Sequence, residues 1–205
     1  MMSVAKSVAR ATATSREKKY LNNGIGAYTA WDTAGQVSDI SVVPLGTSVN
    51  QRIGKMVNLT GVQLRGTVTA GSGSKEHCAL MLVYDREPNQ AAALPAITDI
   101  LNSASSNAQT NRDNAPRFKI VRRWDFNIVG TPGTASVAVE SQHIIDEFIP
   151  LKRGKYPIKY TAANTDGANT GKVKGNLLLV TIGNNANGAA TPSAAIASRV
   201  DFEDA

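Results

Sequence analysis

The most regular alternation of apolar and polar residues in the chain lies within residues 46–69. From Val62 onward the even positions are apolar (Val62, Leu64, Val68) and the odd ones polar (Gln63, Arg65, Thr67, Thr69). That two-residue period belongs to a strand with one buried face. Upstream, Val57 and Leu59 are apolar on the opposite parity. A one-residue bulge near Gly61 would return all of them to one face, and glycine tolerates the backbone it needs. A polar turn containing Gln51, Arg52, Gly54 and Lys55 leads into this strand.

The remaining apolar segments are short. Residues 27–31 and 37–43 suggest two strands around a turn at 33–36, and residues 196–202 alternate as a last strand. Residues 79–84 (ALMLVY) and 177–182 (LLLVTI) are unbroken apolar runs, as expected of strands covered on both faces. In 117–129, Phe118, Ile120, Trp124, Phe126 and Ile128 share one parity, and Lys119, Arg123, Asp125 and Asn127 share the other. Arg122 falls on the apolar parity, so a strand end, a bulge or a partner must accommodate it. Further strands are expected over 137–139 and 141–150. Between residues 86 and 116 there is no strand pattern, only a short helix starting at Pro95 and running through Ile97, Ile100 and Leu101. So long a connection marks a working surface or disorder. About eight strands with no helices between them predict an all-β fold, a single eight-stranded antiparallel jelly-roll sandwich with long loops.

Composition narrows the function classes. The 205 residues hold one cysteine and no apolar run long enough to span a bilayer, so neither a disulfide framework nor a membrane partner is expected. The net charge is +6, and residues 1–20 carry +4 of it through Lys6, Arg10, Arg16, Lys18 and Lys19 against Glu17. A basic, disordered arm over residues 1–22 ahead of a folded domain over 23–205 follows from that distribution. The arm could bind nucleic acid or act only as a solubilising tail. Two further basic groups stand out: Arg117, Lys119, Arg122 and Arg123 in one strand, and Lys152, Arg153, Lys155 and Lys159 around one turn. Like charges so close call for a polyanion or a subunit partner, and Tyr20, Tyr28 and Trp31 are the aromatics placed to stack on bases.

Catalytic chemistry has no constellation to stand on. His77 and Cys78 are neighbours on a strand and point to opposite faces, which disfavours a nucleophile–base pair. Glu140 and His143 do not make the helical metal motif with its two histidines. Residues 167–172 (GANTGK) resemble a phosphate loop but are one residue short and lack the following Ser or Thr. Asp201, Glu203 and Asp204 could hold a hard cation at an interface, but a solvated acidic tail accounts for them better. No enzyme activity, cofactor or metal is expected.

An ordered series of short motifs adds a resemblance. Gly46-Thr47, Asn50-Gln51-Arg52-Ile53-Gly54-Lys55 and Leu64-Arg65-Gly66-Thr67-Val68 are followed by Leu82-Val83-Tyr84-Asp85, Pro88-Asn89, Asp99-Ile100-Leu101, Asn111-Arg112 and Arg117-Phe118-Lys119. The series spans residues 46–129 and resembles the capsid proteins of small circular single-stranded DNA viruses, circovirus- and geminivirus-like. Gln90 departs from it where glycine is usual, and the arm lacks a dense arginine run. The resemblance implies a jelly roll that self-assembles, in about sixty copies, into an icosahedral shell around single-stranded DNA. It also implies a virion location, with assembly in the host nucleus. On that basis Lys6, Arg10, Arg16, Lys18, Lys19, Arg117, Lys119 and Arg123 are expected to meet DNA, and Gln51, Arg52 and Lys55 a neighbouring subunit. A sugar-binding jelly roll and a non-viral single-strand-binding module are the competing classes.

Overall fold

In the computed structural model the described residues are 17–29, 31–70, 75–90, 93–129, 142–186 and 191–205. They form ten strands: β1 (Lys18–Tyr28), β2 (Gln36–Asp39), β3 (Met56–Thr69), β4 (Lys75–Asp85), β5 (Phe118–Val129), β6 (Gln142–Pro150), β7 (Pro157–Tyr160), β8 (Lys172–Lys174), β9 (Asn176–Gly183) and β10 (Ser193–Asp204). A single turn of helix, α1 (Ile97–Ile100), lies between β4 and β5. One sheet runs β1-β10-β3, with β6 beside one half of β3 and β7-β8 beside the other; the second runs β2-β9-β4-β5. Every pairing is antiparallel. Eight strands thus make two facing four-stranded sheets in jelly-roll order, and the short β7 and β8 are additions to that plan. The strand suggested over 137–139 and the arm residues 1–16 lie outside the described residues.

The long central strand carries the expected bulge. Gly61 faces Asp201 and Leu59 faces Phe202, which leaves Thr60 as the extra residue. Val57, Leu59, Val62, Leu64 and Val68 then all point inward and are fully buried, each contributing about 2 kcal/mol of burial. Gly66 in the LRGTV segment has a steric reason: a Cβ there would collide with the Ala195 carbonyl of β10.

The connection between β4 and β5 covers the outer face of the second sheet. Ile97, Ile100, Leu101 and Ala108 pack on Ala79, Met81, Val83, Leu178, Val180 and Ile182, while Leu80, Leu82, Leu177 and Leu179 face the space between the sheets. That is why 79–84 and 177–182 are apolar on both parities. Ahead of α1, the Asp99 carboxylate accepts the Ala96 N–H at 2.8 Å.

β1 begins inside the segment expected to be a flexible arm. Residues 18–22 pair with β10, Lys18 opposite Glu203 and Asn22 opposite Arg199, so the sheet reaches back to Lys18. β5 departs from expectation in its faces. Arg122 pairs with Leu82 and Ile120 with Val83, leaving Val121 as a bulge. Trp124, Phe126 and Ile128 therefore face the inner core, whereas Phe118 and Ile120 join the outer cluster.

Candidate subunit and nucleic-acid interfaces

The turn ahead of β3 is held from beneath. Backbone bonds from Arg52 N–H to the Pro44 carbonyl and from Gly46 N–H to the Arg52 carbonyl, both 2.9 Å, close it. The Arg52 side chain then turns inward. Its guanidinium donates to the carbonyls of Val43 (3.2 Å), Gly54 (2.7 Å) and Asn164, and to Asn164 Oδ1 (3.1 Å), and lies 4.0 Å over the Tyr160 ring. Arg52 is 1 % exposed, and that burial lowers its pKa against the opposing pull of Tyr160, Asp204 and Asp166. The expectation that Arg52 reaches a neighbouring subunit is thereby corrected. A planar fork is saturated by carbonyls of its own chain.

Lys19 is the second buried cation under this turn. Its ammonium donates to the Gln51 carbonyl at 3.1 Å and pairs with Asp204 at 3.0 Å. Asp204 also accepts the Ile53 N–H at 3.1 Å. With Lys19 1 % exposed, its assignment as a DNA contact is corrected too: it pins the C-terminal strand to the turn. Gln51 is half-buried, its side-chain oxygen accepting the Ser48 N–H at 3.0 Å, and Lys55 is exposed. Beside the exposed polar residues Thr47, Ser48 and Asn50, the turn also presents two apolar side chains, Val49 44 % and Ile53 61 % exposed.

The basic strand β5 is largely neutralised within the subunit. Arg117 grips the buried Asp85 carboxylate through two bonds of 2.9 and 2.8 Å, and that pairing raises its pKa. Lys119 donates to the Tyr156 hydroxyl at 2.8 Å and sits 4.8 Å from that ring's centre. Arg123 pairs with Asp125 at 2.8 Å and donates to the carbonyls of Ser106 and Ala108. Arg117, Lys119 and Arg123, expected to meet DNA, tie β5 to β4, to the loop before β7 and to the covering connection. Arg122 leans over Trp124 toward Glu147 at 3.3 Å. Near the other basic turn, Arg153 pairs with Glu203 at 2.9 Å, while Lys152, Lys155 and Lys159 are exposed.

The histidine, cysteine and buried-lysine groups serve structure. His77 bonds Ser106 at 2.8 Å on the outer face, while Cys78 is fully buried in the inner core, its thiol pushed up to about 12 by burial first and by Glu76 and Asp125 next. Residues 167–172 end in a 3-10 turn, Asn169–Gly171. Lys172 is buried against Asp39 (2.6 Å), Asn176 (2.7 Å) and Ser41 (3.1 Å), and burial lowers its pKa against the pull of Asp39. Among the described residues no three His, Cys, Asp or Glu side chains are placed to hold a metal.

Of the candidate DNA contacts, Lys18 is exposed at the start of β1, and Lys6, Arg10 and Arg16 lie outside the described residues. Tyr28 and Trp31 are buried, the Trp31 indole donating to the Tyr28 carbonyl at 2.9 Å. Tyr20 remains exposed. The jelly roll thus satisfies most of its β5 cations internally and carries apolar tips on a turn held from beneath.

The model of the geminivirus coat protein/nuclear export factor BR1 family matches residues 3–204. The chain belongs to that family. As a coat protein it is a virion component. No curated protein sequence matches it. Among solved structures, a chain of the infectious bursal disease virus Gx strain aligns at 9 % identity and a TM-score of 0.30, over 92 % of the coat protein and 32 % of its own length. The coat protein thus spans about a third of that chain. Desmodium yellow mottle tymovirus aligns at 10 % identity and a TM-score of 0.32, over 93 % of the coat protein and 89 % of the tymovirus chain. At these scores the alignments carry no argument, and the fold rests on the pairing described above.

Proposed function

We propose that this coat protein closes into an icosahedral shell of about sixty copies around single-stranded DNA, with no catalytic role. The observation that carries the proposal is the coat-protein match, which extends over the whole jelly roll. The turn over residues 46–55 supports a seam there. Two buried cations hold its backbone, so Val49 and Ile53 meet a neighbour with little ordering left to lose. Gln51 and Lys55 sit beside them as polar contacts, and Arg52 serves the seam only from within.

The DNA contacts of the proposal are Lys6, Arg10, Arg16 and Lys18, which precede or begin β1. The family description, which couples coat proteins with a nuclear export factor, favours assembly in the host nucleus. Sedimentation velocity across salt and pH tests the assembly. A species of roughly 1.3 MDa, sixty times the 21.6 kDa chain, is expected, and monomers or dimers throughout would overturn the proposal.

A further inference from the structure

The first sheet has an open outer face, and its composition is unlike that of β5. Two rows of paired residues cross it: Tyr20, Asp201 and Gly61 in one, and Asn22, Arg199, Gln63 and Phe148 in the next. Tyr20 is 38 % and Phe148 58 % exposed, and both rings border one hollow of about 410 Å³. A second hollow of about 300 Å³ adjoins on the same face, lined by Asn22, Gln63, Arg65 and Arg199.

We propose that this face is a binding platform for single-stranded DNA, with the Tyr20 and Phe148 rings as base-stacking surfaces and Arg65, Arg199 and Lys18 as phosphate contacts. The proposal rests on the reading that the shell encloses DNA and names where in the subunit the strand lies.

Three observations support it. The Phe148 ring reaches over Gly61, where a Cβ would come within 2.6 Å of its Cζ. The absence of a side chain at Gly61 makes room for the ring, which stays 58 % exposed. Arg199 is positioned by a 2.8 Å bond to Asn22 Oδ1 and by the Tyr20 ring 5.1 Å away. Among the described residues no carboxylate lies within ion-pair distance of Arg199, in contrast to Arg117 and Arg123. Arg65 meets only the exposed Asp146 at 3.8 Å, a pair that solvent screens. Base–aromatic stacking tolerates any sequence, and Asn22, Gln63 and Asp201 beside the rings offer groups for base edges. Lys18 starts β1 at the same end, so residues 1–16 join the chain at the margin of this platform.

The test uses the full-length chain with oligo(dT), an abasic oligonucleotide of equal length and oligo(rU). Oligo(dT) should bind at least about tenfold more tightly than the abasic strand, since each stacked base contributes. The double variant Tyr20→Ala, Phe148→Ala should erase that difference and keep the wild-type circular dichroism spectrum. Ultraviolet crosslinks of wild type to oligo(dT) should map to the peptide holding Tyr20. Equal binding of oligo(dT) and abasic strand by wild type would overturn the platform and leave the enclosing of DNA intact. So would a variant that keeps the difference, or crosslinks confined to residues 1–16. A variant that loses particles but not the base-dependent affinity would show that a second copy occupies the face. A tenfold preference for oligo(rU) would overturn DNA as the occupant. No binding of any strand at low salt would sink the DNA reading itself.

Discussion

The Arg52 guanidinium rests 4.0 Å above the Tyr160 ring, and this contact joins the turn before β3 to the end of β7. Tyr160 in turn donates its hydroxyl to the Ser41 carbonyl at 3.2 Å. The cation and the ring together fasten three segments, 41–55, 157–160 and 161–171. A motif that resembles a surface signature is, in this chain, an internal clamp.

Removing the clamp should therefore act on folding. Arg52→Ala strips partners from the carbonyls of Val43, Gly54 and Asn164 beneath the turn, and should cost about 3 kcal/mol or more. Arg52→Lys should recover only part, because an ammonium cannot span those acceptors. Urea unfolding of the unassembled subunit measures both. An Arg52→Ala midpoint equal to wild type would show that the guanidinium bears no load.

Ile53 lies next to Arg52 but should behave in the opposite way. Ile53→Asp changes an exposed side chain, so subunit stability should stay within about 0.5 kcal/mol of wild type. Particle yield should collapse, because the charge would have to be buried at the seam. Normal particles from Ile53→Asp would remove the turn from the interface.

Glu76 gives a pH dependence. It is 5 % exposed, and burial raises its pKa above the usual carboxylate value, against the Asn184 and Asn185 N–H groups that its Oε1 accepts at 3.0 Å. An acid raised in the folded state contributes stability that is present below its unfolded pKa and lost as pH rises through the folded one. Glu76→Gln removes the buried charge, so its stability relative to wild type should be more favourable at pH 7 than at pH 4. Unfolding midpoints at the two pH values decide this. An identical difference at both would mean that the charge is solvated.

The arm should account for most of the salt dependence of DNA binding. Deleting residues 1–16 removes Lys6, Arg10 and Arg16, and the slope of log affinity against log salt should fall by about 2 for a single strand. An unchanged slope would mean that residues 1–16 contribute no phosphate contacts and that Lys18, Arg65 and Arg199 make them alone.

Much of the fold was legible because each strand answers to its own neighbours. The parity change between Leu59 and Val62 located the bulge, and the apolar runs at 79–84 and 177–182 identified the strands covered on both faces. Arg122 signalled a break in β5 but not its consequence, since only the pairing with β4 reveals that Phe118 and Ile120 cross to the other side. The buried cations were harder to see. Arg52 depends on Asn164, 112 residues away, and Lys172 on Asp39, 133 residues away. Local composition carries no trace of such partners. Lys19 left one clue, since it shares the parity of the buried Leu21, which places it on the inward face of β1.

Whether the protein closes into a shell around single-stranded DNA is decided by nuclease protection of purified particles. Particles from cells replicating a circular single-stranded genome would be treated with nuclease, imaged by electron microscopy and extracted. A closed shell yields uniform particles that retain nuclease-resistant single-stranded DNA, released only when the shell is opened. Sheets, filaments or dispersed subunits, or closed particles whose nucleic acid is fully digested, would contradict it.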